Sequence, residues 1–255
     1  SLHREDSVIS RLNIDGEVAD VSGTFLDLLS VSKNVHAVTS GYFDPSVQPL
    51  WRAYTSATKQ NIFDEKKLLE EISKCRDQIG LSDVALAAGI IKFNKPGMAL
   101  TMNGIAQGYL TDRIIAALRR AGIRSALVET GETYGLGTHP DGRAWRLGVP
   151  NPLETGQLTR VVSLDDRAVA TSAPSGTTFE RTGRFHHLFD PYTGHSANEW
   201  SSVTVTAPSA TVADALSTAF SAMPRSMVLD AALALPDVGI HMVDMDGGVT
   251  SYGVI

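Results

Sequence analysis

The stretch SVTVTAPSATVADALSTAF, residues 202–220, decides the fold class. Its first half is rich in β-branched residues, which is typical of a strand, and Pro208 interrupts that pattern. From residue 210 onward the apolar positions recur at helical spacing, which predicts that a strand leads through a short turn into a helix. The predicted apolar face of this helix comprises Val212, Leu216, Ala219, Phe220 and Met223.

The same helix carries a polar stripe of Asp214, Ser217, Thr218 and Ser221, spaced three and four residues apart. Two interpretations of this stripe are open. One carboxylate with two hydroxyls a turn away can bind a hard cation such as Mg²⁺, which prefers oxygen ligands. Thr211 and Asp214 also fit a capping box in which Asp replaces the usual Glu. Spacing alone favours the cap.

A second segment, ALTMNGIAQGYLTDRIIAALRRAGIRSALVET at residues 99–130, predicts a short strand, a helix that ends at Gly122, and another strand. Gly104 then lies at the helix N-terminus, where unpaired N–H groups and the positive end of the dipole favour a phosphate. Glycines there also permit a tight turn and close packing, and spacing alone favours that structural role. The predicted buried stripe comprises Ile105, Tyr109, Ile114 and Leu118.

Helices and strands alternate along the chain without a regular βαβαβ series, which predicts an α+β or mixed α/β fold. A chain of 255 residues can form one large domain or two small ones. Residues 20–38 and 64–79 have helical apolar spacing. The predicted strands are MALTM, SALVET, AWRLGVP, AVATS and SVTVTA.

Composition excludes several classes of protein. With 43% apolar and 20% charged residues among 255, the chain can bury a substantial core. A formal charge of −6 and scattered basic residues argue against a nucleic-acid partner. The single cysteine, Cys75, excludes a disulfide framework and a cysteine zinc site. No apolar run approaches the roughly 18 residues of a membrane span, and no leader pattern is present.

The segment RFHHLFDPYTGHSANEW, residues 184–200, is rich in histidine. A metal-binding trio of His187, Asp190 and His195 lacks helical spacing, because a proline and a glycine interrupt the segment. A single working histidine is the favoured interpretation, since imidazole titrates near neutral pH.

Two enzyme motifs are incomplete. YGLGTHPDG, residues 134–142, lacks the third glycine of the dinucleotide-binding fingerprint, and the turn-forming HPDG follows where a helix would begin. TSAPSGTT, residues 171–178, has Ala173 where the nucleophile elbow of a serine hydrolase has its first glycine. Both classes are therefore disfavoured.

Four blocks of the chain together resemble the ApbE family of FAD:protein FMN transferases. The resemblance covers nearly the whole chain in the order typical of the family, and the pairing of H-x-x-D-P-x-T-G with A-D-A-L-S-T-A is its most specific part. The blocks are DSVISRLN; GYFDPSVQPLW; NGIAQGYLTDR with ALVETGE and PDGRAWRLGVPNP; and AVATSAPSGTTF with HLFDPYTG and the opening stretch.

The resemblance implies an Mg²⁺-dependent enzyme that transfers FMN from FAD to a Ser or Thr hydroxyl of an acceptor protein and releases AMP. The family's metal-binding positions correspond to Asp214, Ser217, Thr218 and the backbone carbonyl of Gly104, which favours the cation over the cap. His187 corresponds to the family histidine, a general base for the acceptor hydroxyl. The neighbouring His186 and His195 are expected to have no catalytic role.

The resemblance also implies contacts with FAD. Asn13 and Tyr54 have structural alternatives, a turn and the core. Two positions depart from the usual family residues, because Thr101 replaces an acid and Gln107 replaces a lysine, so each site loses a formal charge. The implied FAD-binding residues are Asn13, Tyr54, Thr55, Ser56, Thr101, Gln107 and Leu188.

Two other functions remain open, an FAD-binding or storage protein and an FAD pyrophosphatase that yields FMN and AMP. The resemblance implies an acceptor that is a redox or membrane electron-transfer flavoprotein, and export to the periplasmic side of the inner membrane. The resemblance also implies one domain over residues 1–255, with helices packed on mixed sheets. The chain is expected to lack the family's first strand and any signal or anchor segment.

Overall fold

The computed structural model forms two compact units. Unit 1 comprises Ser1–Met102 and Ser175–Ala197, and unit 2 comprises Asn103–Pro174 and Asn198–Ile255. None of the helices in the portion described is long and apolar enough to cross a membrane. The structure describes residues 4, 6–59, 62–87 and 89–255.

Unit 1 combines helices with short antiparallel strands. Its strands form a three-stranded sheet of order β1-β5-β4 and a separate β2-β3 hairpin. The helices are α1 (Val8–Asp15), α2 (Gly23–Val38), α3 (Gln48–Ala57) and α4 (Glu65–Cys75), and the strands are β1 (Glu17–Val18), β2 (Thr58–Lys59), β3 (Ile62–Phe63), β4 (Val84–Ala87) and β5 (Ile90–Phe93). Short 3₁₀ turns occupy Pro45–Val47, Arg76–Gln78 and Leu81–Asp83.

Side-chain caps set the starts of two of these helices. The hydroxyl of Ser7 accepts a hydrogen bond from the Ser10 N–H at 3.2 Å and begins α1. The carboxylate of Asp64 accepts one from the Lys67 N–H at 3.0 Å and begins α4. The helices predicted over residues 20–38 and 64–79 therefore exist, with α4 ending at Cys75 before a 3₁₀ turn.

An aromatic core fills unit 1 around Tyr54, which is fully buried. Its ring lies 5.1 Å from that of Phe179 and 4.7 Å from that of Phe189, centroid to centroid. The Tyr54 hydroxyl donates to the Gly194 carbonyl at 3.2 Å and accepts the Ser196 N–H at 2.9 Å. The ring thus supplies apolar area while its polar end is satisfied, as buried tyrosines require.

Unit 2 is built on a six-stranded sheet of order β13-β12-β11-β10-β7-β6 and a β8-β9 hairpin, with antiparallel pairing at each ladder described. The elements are α5 (Ala106–Arg120), β6 (Ala126–Glu129), β7 (Thr133–Leu136), β8 (Trp145–Pro150), β9 (Leu158–Leu164), β10 (Arg167–Ser172), β11 (Trp200–Ala207), α6 (Ala210–Ala222), α7 (Arg225–Leu233), β12 (Gly239–Asp244) and β13 (Val249–Tyr252).

Helix α6 lies at the centre of unit 2, where it packs against α5 and against strands β10 and β11. Eleven of its residues are buried, including polar ones. A Cβ atom on Gly108 of α5 would lie 2.2 Å from the Ala210 carbonyl oxygen, so α5 approaches α6 through a position that only glycine can fill.

The α+β prediction is confirmed, and antiparallel pairing separates this fold from α/β proteins. One local prediction is wrong and another holds in part. MALTM, residues 98–102, forms no strand, and the Thr101 N–H instead donates to the Pro45 carbonyl at 2.8 Å. Of the buried stripe predicted for α5, Ile105 is fully buried but the other three residues are half-buried, and the buried residues of the helix are Gly108, Thr111 and Ile115.

Candidate functional site

The candidate metal residues of unit 2 meet where α5 begins and α6 crosses it. The Gly108 N–H donates a 2.9 Å hydrogen bond to Oδ2 of Asp214. A Cβ atom on Gly104 would lie 2.8 Å from Oγ1 of Thr218, so the Gly104 backbone comes directly against that hydroxyl. Gly104 lies two residues before the start of α5, close to the predicted helix N-terminus.

Asp214 is a buried carboxylate with 5% of its surface exposed. Burial raises its pKa to about 7, against the opposing effect of the Gly108 hydrogen bond. Within the described residues it has no ion-pair partner, and its Oδ1 has no hydrogen-bond donor. An ionised carboxylate in this setting is stabilised by a cation.

Three hydroxyl groups form a cluster next to the part of α6 that carries Asp214. The Ser217 hydroxyl donates to the Asp214 backbone carbonyl at 2.9 Å. Ser172, the last residue of β10, places its Oγ 2.8 Å from that of Ser217 and 3.5 Å from Oγ1 of Thr218. Strand β10 and helix α6 thus contribute three clustered hydroxyls, two of them within one turn of Asp214 on α6.

This donor set fits Mg²⁺, because carboxylate, hydroxyl and carbonyl oxygens are the ligands a hard cation prefers. The partnerless Oδ1 of buried Asp214 is the observation that carries the fit. No cluster of three or more His, Cys, Asp or Glu side chains suited to a metal occurs in the described part of the chain, so the fit depends on these mixed oxygens.

The capping-box alternative for Asp214 is wrong. Helix α6 begins two residues earlier than that box requires, with Ser209 as its N-cap and the Ser209 hydroxyl accepting the Val212 N–H at 3.3 Å. Thr211, the residue expected to cap, instead donates through both its N–H and its hydroxyl to Asp112. The Asp214 carboxylate is therefore not part of the helix cap, and it contacts α5 through the Gly108 N–H.

Asp112 is a residue that sequence reasoning missed. From α5 its carboxylate accepts hydrogen bonds from the Ala210 N–H at 2.8 Å, the Thr211 N–H at 2.9 Å, the Ser209 hydroxyl at 2.7 Å and the Thr211 hydroxyl at 2.5 Å. It satisfies the unpaired N–H groups at the start of α6 and complements its dipole. The motif "TDR" gave no signal for this, because the partner lies almost 100 residues away.

Glu132 was also missed. It lies in the turn between β6 and β7 and is 8% exposed. Burial, followed by the charge of Asp214, raises its pKa to about 8, against the opposing effect of the nearby Thr171 N–H. The sequence shows only a polar "ETGET" turn, which carries no signal that this acid is buried beside Asp214.

Gln107, where the family usually has lysine, is an exposed residue in the first turn of α5. Its amide reaches the turn before Glu132, since a Cβ atom on Gly131 would lie 2.6 Å from Gln107 Nε2. The neutral amide thus lies against Gly131, the residue before Glu132.

In unit 1, His187 has a fixed ring orientation. Its Nδ1 lies 3.1 Å from the Thr177 carbonyl oxygen, which can only accept, so Nδ1 carries the proton and Nε2 has the available lone pair. Burial lowers the pKa of His187 below 6.5, against the Thr177 hydrogen bond that raises it. A Cβ atom on Gly176 would lie 3.2 Å from Cε1, so a small residue at 176 keeps the ring uncrowded.

The neighbouring residues have structural partners. His186 is fully buried, and its Nδ1 accepts the Leu188 N–H at 3.3 Å. Asp190 accepts hydrogen bonds from the Tyr192 N–H at 2.9 Å and the Thr193 hydroxyl at 2.9 Å, as a turn-forming aspartate does. His195 is exposed, and its carbonyl accepts the Asp190 N–H at 2.8 Å.

The predicted FAD-binding residues of unit 1 differ in accessibility. Asn13 donates to the Leu100 carbonyl at 2.8 Å and accepts the Leu100 N–H at 2.7 Å, so its amide fixes the backbone just before Thr101. The Tyr54 ring is fully buried in the aromatic core, as its structural alternative predicts, so its flavin contact stays a prediction. Thr55 is exposed and Ser56 half-buried.

Leu188, the remaining predicted flavin contact, is 4% exposed. Its backbone carbonyl accepts the Ala197 N–H at 2.9 Å, and its N–H bonds to the ring of His186. The side chain therefore offers a ligand little surface, and the residue also holds the segment that carries His187.

Comparison with known proteins agrees with this α+β fold. The ApbE family matches residues 1–240. The "FAD:protein FMN transferase" of Treponema pallidum is 32% identical over 241 residues, which cover 86% of this chain and 66% of the relative. The protein of the same name from Haemophilus influenzae is 25% identical over 244 residues, covering 91% and 70%. The chain thus spans about two thirds of the length of these relatives.

Solved structures give the same result. The ApbE protein of Thermotoga maritima superposes with a TM-score of 0.87 at 27% identity, covering 98% of this chain and 82% of that one. The flavin transferase ApbE of Vibrio cholerae superposes with a TM-score of 0.84 at 25% identity, covering 99% and 82%.

The fold and these relatives define a transferase enzyme. The chain belongs to the ApbE family.

Proposed function

We propose that this chain transfers the FMN moiety of FAD to a Ser or Thr hydroxyl of an acceptor protein and releases AMP, in an Mg²⁺-dependent reaction. Flavin transfer from FAD to a protein is what the names of its relatives describe. The observation that carries the metal dependence is the buried, uncompensated Asp214 carboxylate among the hydroxyls of Ser217 and Thr218.

The proposed step exchanges one P–O bond for another. The acceptor hydroxyl oxygen bonds to the phosphorus of the FMN half, the bond from that phosphorus to the AMP oxygen breaks, and AMP leaves with the electron pair. Nε2 of His187 takes the hydroxyl proton, since Nδ1 is committed to Thr177. Because the pKa of His187 is lowered, the ring is neutral and ready to accept that proton at neutral pH.

The cation would be held by Asp214, Ser217, Thr218 and the Gly104 carbonyl. When bound, Mg²⁺ supplies charge neutralisation to the diphosphate. The chain's own contribution is to keep these oxygens in place, through the Gly108 hydrogen bond and through Asp112 at the start of α6.

FAD recognition is proposed to use Thr55, Ser56, Thr101 and Gln107. Thr101 and Gln107 supply hydrogen bonds where a charge is usual in the family, so we expect weaker electrostatic attraction for the phosphates. Asn13 contributes by holding Leu100, the residue before Thr101.

One experiment tests the proposal and its alternatives. The chain is incubated with FAD, Mg²⁺ and a flavin-acceptor domain that contains a Ser/Thr attachment site. Covalent flavin on the acceptor with stoichiometric AMP supports the transferase. Free FMN with AMP identifies a pyrophosphatase, and bound but unchanged FAD identifies a storage protein.

A periplasmic location, with a redox or membrane electron-transfer protein as acceptor, is part of the proposal and follows from the family alone. Fractionation of cells that express the whole gene product, with the chain followed by immunoblot, tests the location.

A further inference from the structure

Glu132 is placed beside the candidate cation residues by two separate elements. One is helix α5, whose positions 108 and 111 lie on one face, three residues apart. Gly108 donates to Asp214 from this face. One turn further on, the Thr111 hydroxyl lies 3.4 Å from the Glu132 carbonyl oxygen and 2.7 Å from the Thr130 hydroxyl. The two acidic segments therefore meet the same face of α5.

The other element is the end of strand β10. The backbone N–H of Thr171 is near enough to the Glu132 carboxylate to lower its pKa, and the hydroxyl of the next residue, Ser172, lies 2.8 Å from that of Ser217. Consecutive residues of one strand thus lie near the Glu132 side chain and against the polar stripe of α6. The turn itself is closed by the Thr130 N–H, which donates to the Glu132 carbonyl at 3.1 Å.

The carboxylates of Glu132 and Asp214 both lack a compensating positive charge from the residues that the structure describes. Glu132 and Asp214 are 8% and 5% exposed, and neither has an ion-pair partner among the described Lys, Arg and His residues. The side chain that reaches the Glu132 turn is the neutral amide of Gln107. Two buried negative charges without basic partners are costly, and one divalent cation compensates both.

We propose that Glu132 is a second carboxylate ligand of the divalent cation at Asp214, bound directly or through one cation-bound water. This inference rests on the metal site of the proposed function. It extends that site from α6 to the β6–β7 turn, so that both acids of unit 2 that are buried beside α5 serve the same ion. Mg²⁺ commonly takes one or two carboxylates and keeps several waters, which suits this arrangement.

The test measures cation binding in the absence of FAD. Mn²⁺, which is paramagnetic and also prefers oxygen ligands, is titrated into the unmodified chain and into Glu132→Gln, Asp214→Asn and Glu129→Gln. Free Mn²⁺ is followed by electron paramagnetic resonance. Glu129 is the matched control, because it is exposed and lies three residues before Glu132.

We expect Glu132→Gln to weaken Mn²⁺ binding about tenfold or more and Glu129→Gln to leave it unchanged. Glutamine keeps the size and hydrogen-bonding oxygen of Glu132 but removes the charge, so a purely structural role would survive this change. Normal binding by Glu132→Gln, with binding lost in Asp214→Asn, would overturn the inference and leave the metal site intact.

The second measurement is a crystal structure of the unmodified chain with Mn²⁺. It does not require any variant to fold. An anomalous peak within about 4.5 Å of a Glu132 carboxylate oxygen supports the inference, since this distance covers a direct or single-water contact. A cation bound at Asp214 beyond that distance overturns it. If cation binding requires both acids but the chain does not transfer flavin, the inference on Glu132 holds and the proposed transferase activity is rejected.

Discussion

The Gly108 N–H is hydrogen-bonded to Oδ2 of Asp214 at 2.9 Å, across 106 positions of sequence. The contact exists because the backbone of α5 meets that of α6 at Gly108, where a Cβ atom would lie 2.2 Å from the Ala210 carbonyl oxygen. The place of the buried carboxylate therefore depends on the absence of a side chain on the neighbouring helix.

Gly108→Ala is expected to destabilise the chain by about 1–3 kcal/mol, because the added methyl forces α5 away from α6. Chemical denaturation measures the change. Gly23→Ala is the matched control, since Gly23 lies at the start of α2 with no atom within 4 Å of its Cβ position. Equal effects of the two substitutions on stability would show that the contact between α5 and α6 accommodates a methyl group at position 108.

Asp214→Asn is expected to abolish Mg²⁺-dependent flavin transfer, because the amide keeps the shape of the carboxylate and removes its charge. In-gel flavin fluorescence of the acceptor measures the reaction. Asp230→Asn, an exposed position of α7, serves as control. Full transfer with unchanged metal dependence in Asp214→Asn would remove Asp214 from the cation site.

Asp112→Asn is expected to cost about 1.5–3 kcal/mol of folding free energy, the range for hydrogen bonds to a charged group. The carboxylate accepts from two N–H groups and two hydroxyls at the start of α6, and an amide turns one of its acceptor oxygens into a donor. Urea unfolding measures the loss. A change no larger than that of Asp230→Asn would mean that Ser209 alone caps the helix.

His187→Ala is expected to slow flavin transfer roughly a hundredfold or more, with FAD and Mg²⁺ binding nearly intact. His195→Ala, at an exposed position, should retain activity. Because a neutral imidazole is needed and burial lowers the pKa of His187, activity should fall on the acid side at a pH below 6.5. Loss of FAD binding in His187→Ala, or an acid limb well above 6.5, would contradict the role of base.

His241 of β12 gives a pH-dependent contribution to stability. It is buried, with Nδ1 2.8 Å from the Ser251 hydroxyl and Nε2 2.9 Å from that of Thr159. Burial, then the charge of Arg160, lowers its pKa, so the unfolded chain binds its proton more readily than the folded chain. Stability from this group is present above the ordinary pKa of about 6.5 and is lost as the pH falls below it.

The measurement compares the unmodified chain with His241→Gln, which cannot be protonated. The unfolding free energy of the unmodified chain should exceed that of His241→Gln by more at pH 7.5 than at pH 5.5. A difference that stays constant over this range would show that His241 titrates alike in the folded and unfolded chain.

Local patterns in the sequence predicted several elements well. Residues 202–220 alone indicate β11, the turn and α6, because a two-residue and a 3.6-residue period follow one another within one segment. The polar stripe that includes Asp214 was visible for the same reason. The prediction failed at residues 98–102, where backbone N–H groups donate to the Pro45 carbonyl and to the Asn13 side chain rather than to a neighbouring strand.

Distant partners could not be predicted from one sequence. Asp112 and Glu132 look like ordinary surface acids, since nothing near them shows that one meets the N-terminus of α6 and the other is buried beside Asp214. Tyr54 was open to two interpretations for the same reason. Its burial depends on Phe179 and Phe189, more than 120 positions later.

The same aromatic core constrains the order in which the chain folds during synthesis. Tyr54 leaves the ribosome early, but the rings that cover it belong to Ser175–Ala197, and the 72 residues of Asn103–Pro174 are made in between. Because synthesis adds about 5–20 residues per second, the apolar surface of α3 stays uncovered for several seconds before its partner residues are made. A nascent chain that stops at Met102 holds an unfinished core, so unit 1 completes its folding only after much of unit 2 has been synthesised.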